Sequence, residues 1–550
     1  MNTGFAPDYL HIKGGKAAVS ALTSPPPGLT LEVPRRPYIT HLLPLTALPA
    51  PLIVFGTSTE DVLNVLNSAR PEVETMHRLV WRSTSSSSRS EQTAISGLIA
   101  APPAAPSQAS LYTPSTNGKI AIWDLRSQAL APVGELVGQG APAPQFERGA
   151  GSANKPAPAN GPAYLCAAAS EDGYTLAAGT ELRGTDAIID IWDIRKPSEP
   201  LFSYCESHSD DVSSLAFCPS SAEGYAGPSS SAGSSCSPRT AILLSGSTDG
   251  LMSIFNTSVA QGDEDDAVVR VQNIGASVAK VGWGGIASSL VRHDGMEVEL
   301  DEDEAAKAIA ARTPRGLGGA WGVTDMQTMS VFDADNFDFT TLAGFPTRSR
   351  TSLMPAYEPD YVIDILAGSR LPSQYQGTAL SLWTGDPTGN FALTSIPPAE
   401  VVGEAQEAGS ASRKAAEPWE LVAFFPAGRN AHEDIVRCVH YDRQLHSLIT
   451  GGEDGRICFW HMPDGDGEAV SQTPISAIQA IPPAAGPGQA RHITFDAEET
   501  ATLASAQHGG PSPTSLFRGG AARERATDVL VKGSMRAPAS GGSKVRYRPF

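Results

Sequence analysis

The chain has 550 residues, with 59 Asp and Glu against 40 Lys and Arg and a formal net charge of −19. That acid excess argues against general coating of nucleic-acid backbones, which depends on neutralising phosphates. The 53 Gly and 44 Pro favour turns over long helices, and the six scattered cysteines contain no CxxC pair, so neither a disulfide framework nor a zinc motif is expected.

In chain order, MNTGFAPDYLHIKGGK has no apolar signal core, and no run of about 18 apolar residues follows. The expectation is a soluble intracellular protein, nuclear or cytoplasmic, without membrane contact. Residues 1–35 read as a flexible arm. Residues 36–67, RPYITHLLPLTALPAPLIVFGTSTEDVLNVLN, read as strands. Five later segments share one pattern, a short apolar strand, a turn and a second strand with an aromatic near its end. They are LYTPSTNGKIAIWDLR (111–126), YTLAAGTELRGTDAIIDIWDIR (174–195), ILLSGSTDGLMSIFN (242–256), AWGVTDMQTMSVFD (320–333) and SLITGGEDGRICFW (447–460). The turns Asn117-Gly118, Asp249-Gly250 and Asp454-Gly455 tolerate positive φ and predict hairpins. KIAIW and RICFW alternate with strand period. Thr113, Asn117 and Trp123 are spaced by four and then six residues, as are Ser245, Asp249 and Phe255, and Thr450, Asp454 and Trp460; Asp186 also lies six before Trp192. Such self-similarity marks a repeat array.

A sixth unit is read in DYVIDILAGSR (360–370) with ALSLWTGDPTGNFALTSI (379–396), where Trp383 falls in the first strand of the hairpin. Pro/Gly/Ser/Ala-rich insertions at 83–92, 101–110, 138–163 and 220–239 are expected to be disordered surface loops. Residues 296–312 are predicted to form a short exposed helix. Residues 464–550 are expected to be a mostly disordered basic tail. Within 512–550, eight Lys and Arg stand against Glu524 and Asp528. A solvated tail and an import or docking peptide are both open readings.

Trp123-Asp124 and Trp192-Asp193, with Ser207-His208 and Ala431-His432 upstream of two hairpins, resemble the WD40-repeat family. The resemblance implies an all-β, seven-bladed WD40 β-propeller over about 36–463, two blades degenerate, with residues 36–67 supplying the first blade and closing the ring. A ring leaves only short, protected strand edges. The resemblance also implies a hydrogen-bonded tetrad in each good blade. Asp454, His432, Thr450 and Trp460 fill all four roles; Asp249, His208 and Ser245 fill three, with Phe255 where the indole belongs.

His432, Thr450 and Asp454 also invite a catalytic triad. A nucleophile needs an exposed, strained turn with an oxyanion hole; no GxSxG occurs and Thr450 lies in a predicted buried strand. No enzyme activity, catalytic residue, metal site or cofactor is expected, because no HExxH, calcium-loop or phosphate-loop pattern occurs. The implied work is protein binding, as a scaffold or adaptor. WDLR and WDIR match a box that, in receptors of cullin-4-type ubiquitin ligases, docks on the ligase adaptor, which makes Arg126 and Arg195 candidate contacts. The competing reading packs each Arg stem on a neighbouring blade. Asp210 and Asp211 are candidates for holding a basic peptide, or form a solvated turn.

Overall fold

The computed structural model describes residues 11–12, 24, 26–45, 52–58, 60–68, 71, 77–80, 94–102, 111–126, 131–138, 162–220, 239–259, 264–284, 317–334, 357, 359–367, 380–396, 420–442 and 446–462. The predicted helix at 296–312 and the tail at 464–550 lie outside them, as do nearly all residues of the four insertions.

Seven sheets, each built on an antiparallel meander, form seven blades in chain order. Blade 1 comprises Ile39–Leu45, Leu52–Thr57, Glu60–Asn67 and His77–Val80. Blade 2 comprises Ile99–Ala100, Leu111–Ser115, Lys119–Trp123 and Gly134–Val137. Blade 3 is built from Tyr164–Ala169, Thr175–Thr180, Ile189–Asp193 and Phe202–Tyr204. Val212–Phe217, Ile242–Ser247, Leu251–Asn256 and Val268–Asn273 form blade 4. Blade 5 holds Val278–Trp283, Gly319–Thr324 and Met329–Asp333 among the described residues. Blade 6 holds Tyr361–Ala367, Leu380–Gly385, Phe391–Ile396 and Glu420–Phe425. Val436–Asp442, Ser447–Gly452 and Arg456–His461 are the first three strands of blade 7.

The outer strand of blade 7 corrects the expectation of a flexible arm at 1–35. Leu29–Glu32 pairs antiparallel with the third strand, Leu29 opposite Phe459 and Glu32 opposite Arg456. The ring is therefore closed by this segment, and residues 36–67 supply only the first three strands of blade 1. Leu31 and Val33 are buried against Ile39, Ile449 and Ile457, so burial of apolar area drives the closure. His11–Ile12 adds a further, parallel pairing on Glu420–Leu421 at the edge of blade 6.

Second strands such as ILLSGS, GAWGVT, LSLWTG and SLITGG are buried along their whole length, because a neighbouring blade covers each face. The core is consequently a set of layers between blades. Trp383, Phe391, Phe425 and Trp460 fill the layer between blades 6 and 7, with Phe391 and Phe425 stacked at 4.5 Å and Trp460 edge-on to both. Helix is confined, among the described residues, to short turns such as Glu264–Ala267.

Six of the seven inner strands shift register near their start, between Ile39 and His41, Tyr164 and Cys166, Val212 and Ser214, Val278 and Lys280, Val362 and Asp364, and Val436 and Cys438. Such bulges bend a strand and re-aim its side chains. At this level six of the blade junctions carry a hydrogen bond. Ser96 Oγ donates to Tyr164 O (2.6 Å), Cys166 Sγ to Val212 O (3.3 Å), Ser213 Oγ to Val278 O (2.6 Å) and Lys280 Nζ to Ile363 O (2.5 Å). Val436 N donates to Tyr361 Oη (2.8 Å) and Cys438 Sγ to Ile39 O (3.9 Å). Burial pushes both thiols up to about 12, which keeps them protonated donors. The links run along the inner wall.

Candidate interaction faces and the blade-locking tetrads

The blade 7 hairpin brings four groups of one repeat into one chain of hydrogen bonds. Trp460 Nε1 donates to Thr450 Oγ1 at 3.0 Å, Thr450 Oγ1 lies 2.7 Å from His432 Nε2, and His432 Nδ1 lies 3.2 Å from the Asp454 carboxylate. With the Nδ1 tautomer every donor has one acceptor, running from indole to hydroxyl to imidazole to carboxylate. Asp454 also accepts from the amides of Glu433 (3.0 Å) and Arg456 (3.1 Å). Burial opposes its charge, but these donors, His432 foremost, hold its carboxyl below the ordinary value. Thr450 and His432 have 0% exposure, so these two side chains have no access to a substrate.

Cross-strand register explains how far the other blades repeat this chain. Leu448 faces Trp460 and Thr450 faces Cys458; the same columns hold Leu243–Phe255 and Ser245–Ser253 in blade 4, and Leu111–Trp123 and Thr113–Ala121 in blade 2. In blade 4, His208 reaches Ser245 Oγ at 2.7 Å and Asp249 at 3.2 Å. The chain stops there because Phe255 has no N–H; Phe255 stacks on Tyr204 at 4.6 Å instead. Blade 2 keeps the other end, with Trp123 Nε1 donating to Thr113 Oγ1 at 2.9 Å, while Asn117 caps its own turn through the Lys119 amide.

Blade 3 departs in a way the sequence reading missed. Its columns hold Leu176–Trp192 and Ala178–Asp190, so alanine replaces the hydroxyl and Trp192 Nε1 finds no partner among the described residues. Asp186, at tetrad spacing, sits exposed in the turn and accepts from Thr185. The polar lock is built instead on Asp190, 1% exposed, which accepts from Tyr164 Oη and Ser203 Oγ, both at 2.5 Å. Burial raises the Asp190 carboxyl above its usual range, against the two hydroxyl bonds that favour its charge. Burial and the nearby carboxylate push the Tyr164 phenol up in turn. Gly138 ends the blade 2 outer strand over this group, and a Cβ there would lie 1.8 Å from Tyr164 Oη. The signal available beforehand was the carboxylate in the otherwise apolar run AIIDIW.

Antiparallel alternation sends the blade-to-blade loops and the second-to-third turns to one face, and the third-to-outer loops to the other. Arg126 and Arg195 lie on the second of these, each held by the Asp of its own Trp-Asp pair. Arg195 Nε and Nη2 donate to Asp193 at 2.8 Å, its amide donates at 3.0 Å, and its guanidinium sits 4.6 Å from the Tyr174 ring centroid. Arg126 contacts Asp124 through Nε and its amide, both at 3.1 Å. The two side chains remain 45% and 58% exposed, Arg126 and Arg195 respectively. On the opposite face, Asp211 Oδ1 accepts from the Leu182 amide (2.7 Å), pinning the blade 3 turn to blade 4, while the Asp210 carboxylate caps the Asp211 amide (2.9 Å). The Glu264 carboxylate reaches from blade 4 to the amides of Cys205 and Glu206 and to Ser207 Oγ, which braces the approach to His208.

No group of three or more His, Cys, Asp or Glu that would hold a metal ion occurs among the described residues. No helix among them is long and apolar enough to cross a membrane.

Seven sheets in one closed array form a seven-bladed β-propeller, with the hydroxyl–imidazole–carboxylate lock that the WD40 repeat implies present in blades 4 and 7. The family model for the WD domain, G-beta repeat, matches residues 421–461. The chain is 42% identical over 108 residues to an uncharacterized WD repeat-containing protein of Saccharomyces cerevisiae, covering 20% of this chain and 22% of the relative. It is 26% identical over 171 residues to an uncharacterized WD repeat-containing protein of Schizosaccharomyces pombe, covering 30% and 40%. It is 24% identical over 218 residues to the WD repeat-containing protein 89 homolog of Dictyostelium discoideum, covering 40% and 45%. The matches thus span between about a fifth and just under half of these relatives' lengths.

Proposed function

We propose that the propeller is a non-enzymatic scaffold or adaptor that presents its two loop faces to protein partners in the nucleus or cytoplasm. The observation that carries this reading is a division among the polar groups. His432, Thr450, Asp454 and their counterparts in blade 4 are spent on bonds within a blade, whereas Arg195 is half exposed and fixed by a carboxylate fork and an aromatic ring. A cation held in one conformation loses little entropy when a partner binds, and Arg and Tyr are enriched among residues that dominate interfaces. Affinity purification of the full chain followed by mass spectrometry tests the reading. Retention of partner proteins at stoichiometric levels is the expected result, and recovery of the chain alone overturns it.

The same observation favours a second reading, a substrate receptor docked through Arg126 and Arg195 on the adaptor of a cullin-4-type ubiquitin ligase. Purified adaptor is expected to be retained by wild type and lost from Arg126→Ala/Arg195→Ala. Equal retention by both, or by neither, removes the receptor reading while leaving the scaffold reading in place.

A further inference from the structure

Asp190 has an unusual position. The third-strand residue two before the aromatic is Ala121 in blade 2, Ser253 in blade 4 and Cys458 in blade 7, none of them acidic. In blade 3 it is a carboxylate with 1% exposure. Tyr164 reaches it from the inner strand and Ser203 from the outer strand; Ala178 stands opposite on the second strand, and Gly138 of blade 2 closes over it. Tyr164 is the one titratable side chain in that set, and no charged side chain among the described residues contributes to the field at Asp190. Two hydroxyl donors fill half of the roughly four acceptor positions of a carboxylate. A buried carboxylate without a cation is relieved by taking up a proton.

We propose that Asp190 is a proton-operated clasp: protonated, it sits uncharged between the inner, third and outer strands of blade 3 beneath blade 2, and on losing its proton it leaves a buried charge with no cation among the described residues, which opening of that junction relieves. The direction of the pH dependence follows. A carboxyl whose folded-state value lies above its unfolded value, about 3.9, contributes stability at low pH. That contribution is lost as pH rises through the folded-state value. The raised carboxyl of Asp190 agrees in sign. It is opposite to Asp454, whose lowered carboxyl stabilises at higher pH.

The test compares melting of the full chain, wild type against Asp190→Asn, from pH 4.5 to 8.0. Asparagine keeps one acceptor oxygen, presents an N–H donor to the other hydroxyl as the protonated acid does, and cannot ionise. The melting temperature of the variant minus that of wild type is expected to increase by about 2 °C or more toward pH 8.0. Tyr164→Phe removes a donor that favours the charged form, so in that background the increase is expected to begin at higher pH. A difference that stays constant over the range overturns the proposal. So does a difference that becomes pH-dependent only after Arg148→Ala/Lys155→Ala, which would mean that a cation from outside the described residues neutralises Asp190. Should Asp190→Asn fail to fold, hydrogen exchange of the 189–193 amides in wild type serves instead. Faster opening at pH 8.0 than at pH 5.5, after correction for intrinsic exchange, is expected, and unchanged opening overturns the proposal.

Discussion

Asp454→Ala is expected to lower the stability of the propeller by on the order of 1–3 kcal/mol, read as a fall in melting temperature. The alanine leaves His432 Nδ1 and the amides of Glu433 and Arg456 without their acceptor. The loss reaches beyond one bond because His432 orients Thr450, and Thr450 receives the Trp460 indole. Thr450→Val interrupts the same chain one step further on, so the double variant is expected to lose less than the sum of the two single losses. On the acid side the sign of the pH dependence follows from the lowered Asp454 carboxyl, while the His432 imidazole, raised to about 9 against its burial, adds stability that is lost as pH rises through that value. The Asp454 contribution is present above the unfolded value near 4 and disappears as pH falls through the lower folded value, so the gap between wild type and variant narrows in acid. An unchanged melting temperature at neutral pH would show that the four side chains do not act as a lock.

Removing residues 1–35 is expected to cost more, about 5 kcal/mol, because two buried side chains and a whole strand are lost together. Leu31 and Val33 leave the layer that contains Ile39, Ile449, Ile457 and Phe459. Their loss alone accounts for roughly 3–6 kcal/mol at the usual value for fully burying such side chains. The third strand of blade 7 becomes an open edge with unpaired amides, which favours aggregation. The truncated chain is expected to melt at least about 5 °C lower and to scatter light on heating. A synthetic peptide of residues 24–38 is expected to restore part of the loss. A truncated chain that melts with the full chain would mean that the strand does not carry the closure.

The two changes act on the same blade from opposite sides. Gly455, at φ +70° in the turn beside Asp454, packs so closely on the incoming segment that a Cβ would lie 2.4 Å from Arg36 Cα. Arg456 joins them, with Nη1 donating to Ala431 O at 2.7 Å and Nη2 to Glu433 at 2.9 Å. Closure and lock therefore share a turn, and their losses are expected to couple in a double variant.

The sequence by itself determined the hairpins and the members of the best tetrads. The distance from Thr450 to Asp454 to Trp460 is set by two strands and a two-residue turn, which is local geometry that spacing reports directly. His432 was legible for the same reason, since it lies within one repeat of its partners. Phe255 was legible as a chain end, because the absence of an N–H is a property of the residue alone. The tertiary structure decided what depends on partners far along the chain. Leu29–Glu32 is four residues long and meets its strand more than 400 residues later, so no periodicity within 1–35 announces it. Trp123 and Trp192 head the same Trp-Asp dipeptide, yet among the described residues one indole is paired and the other is not, because Thr113 and Ala178 differ on the adjacent strand. Asp190 reads as one acid in a strand; only folding brings Tyr164 and Ser203 onto it and closes Gly138 above it. The inner links lie beside bulges in six of the seven blades, and only the register of the folded sheets shows which group meets the next blade. Short-range covalent spacing is written in order along the chain, whereas burial between blades is a relation between segments, and the ring has to close before that relation exists.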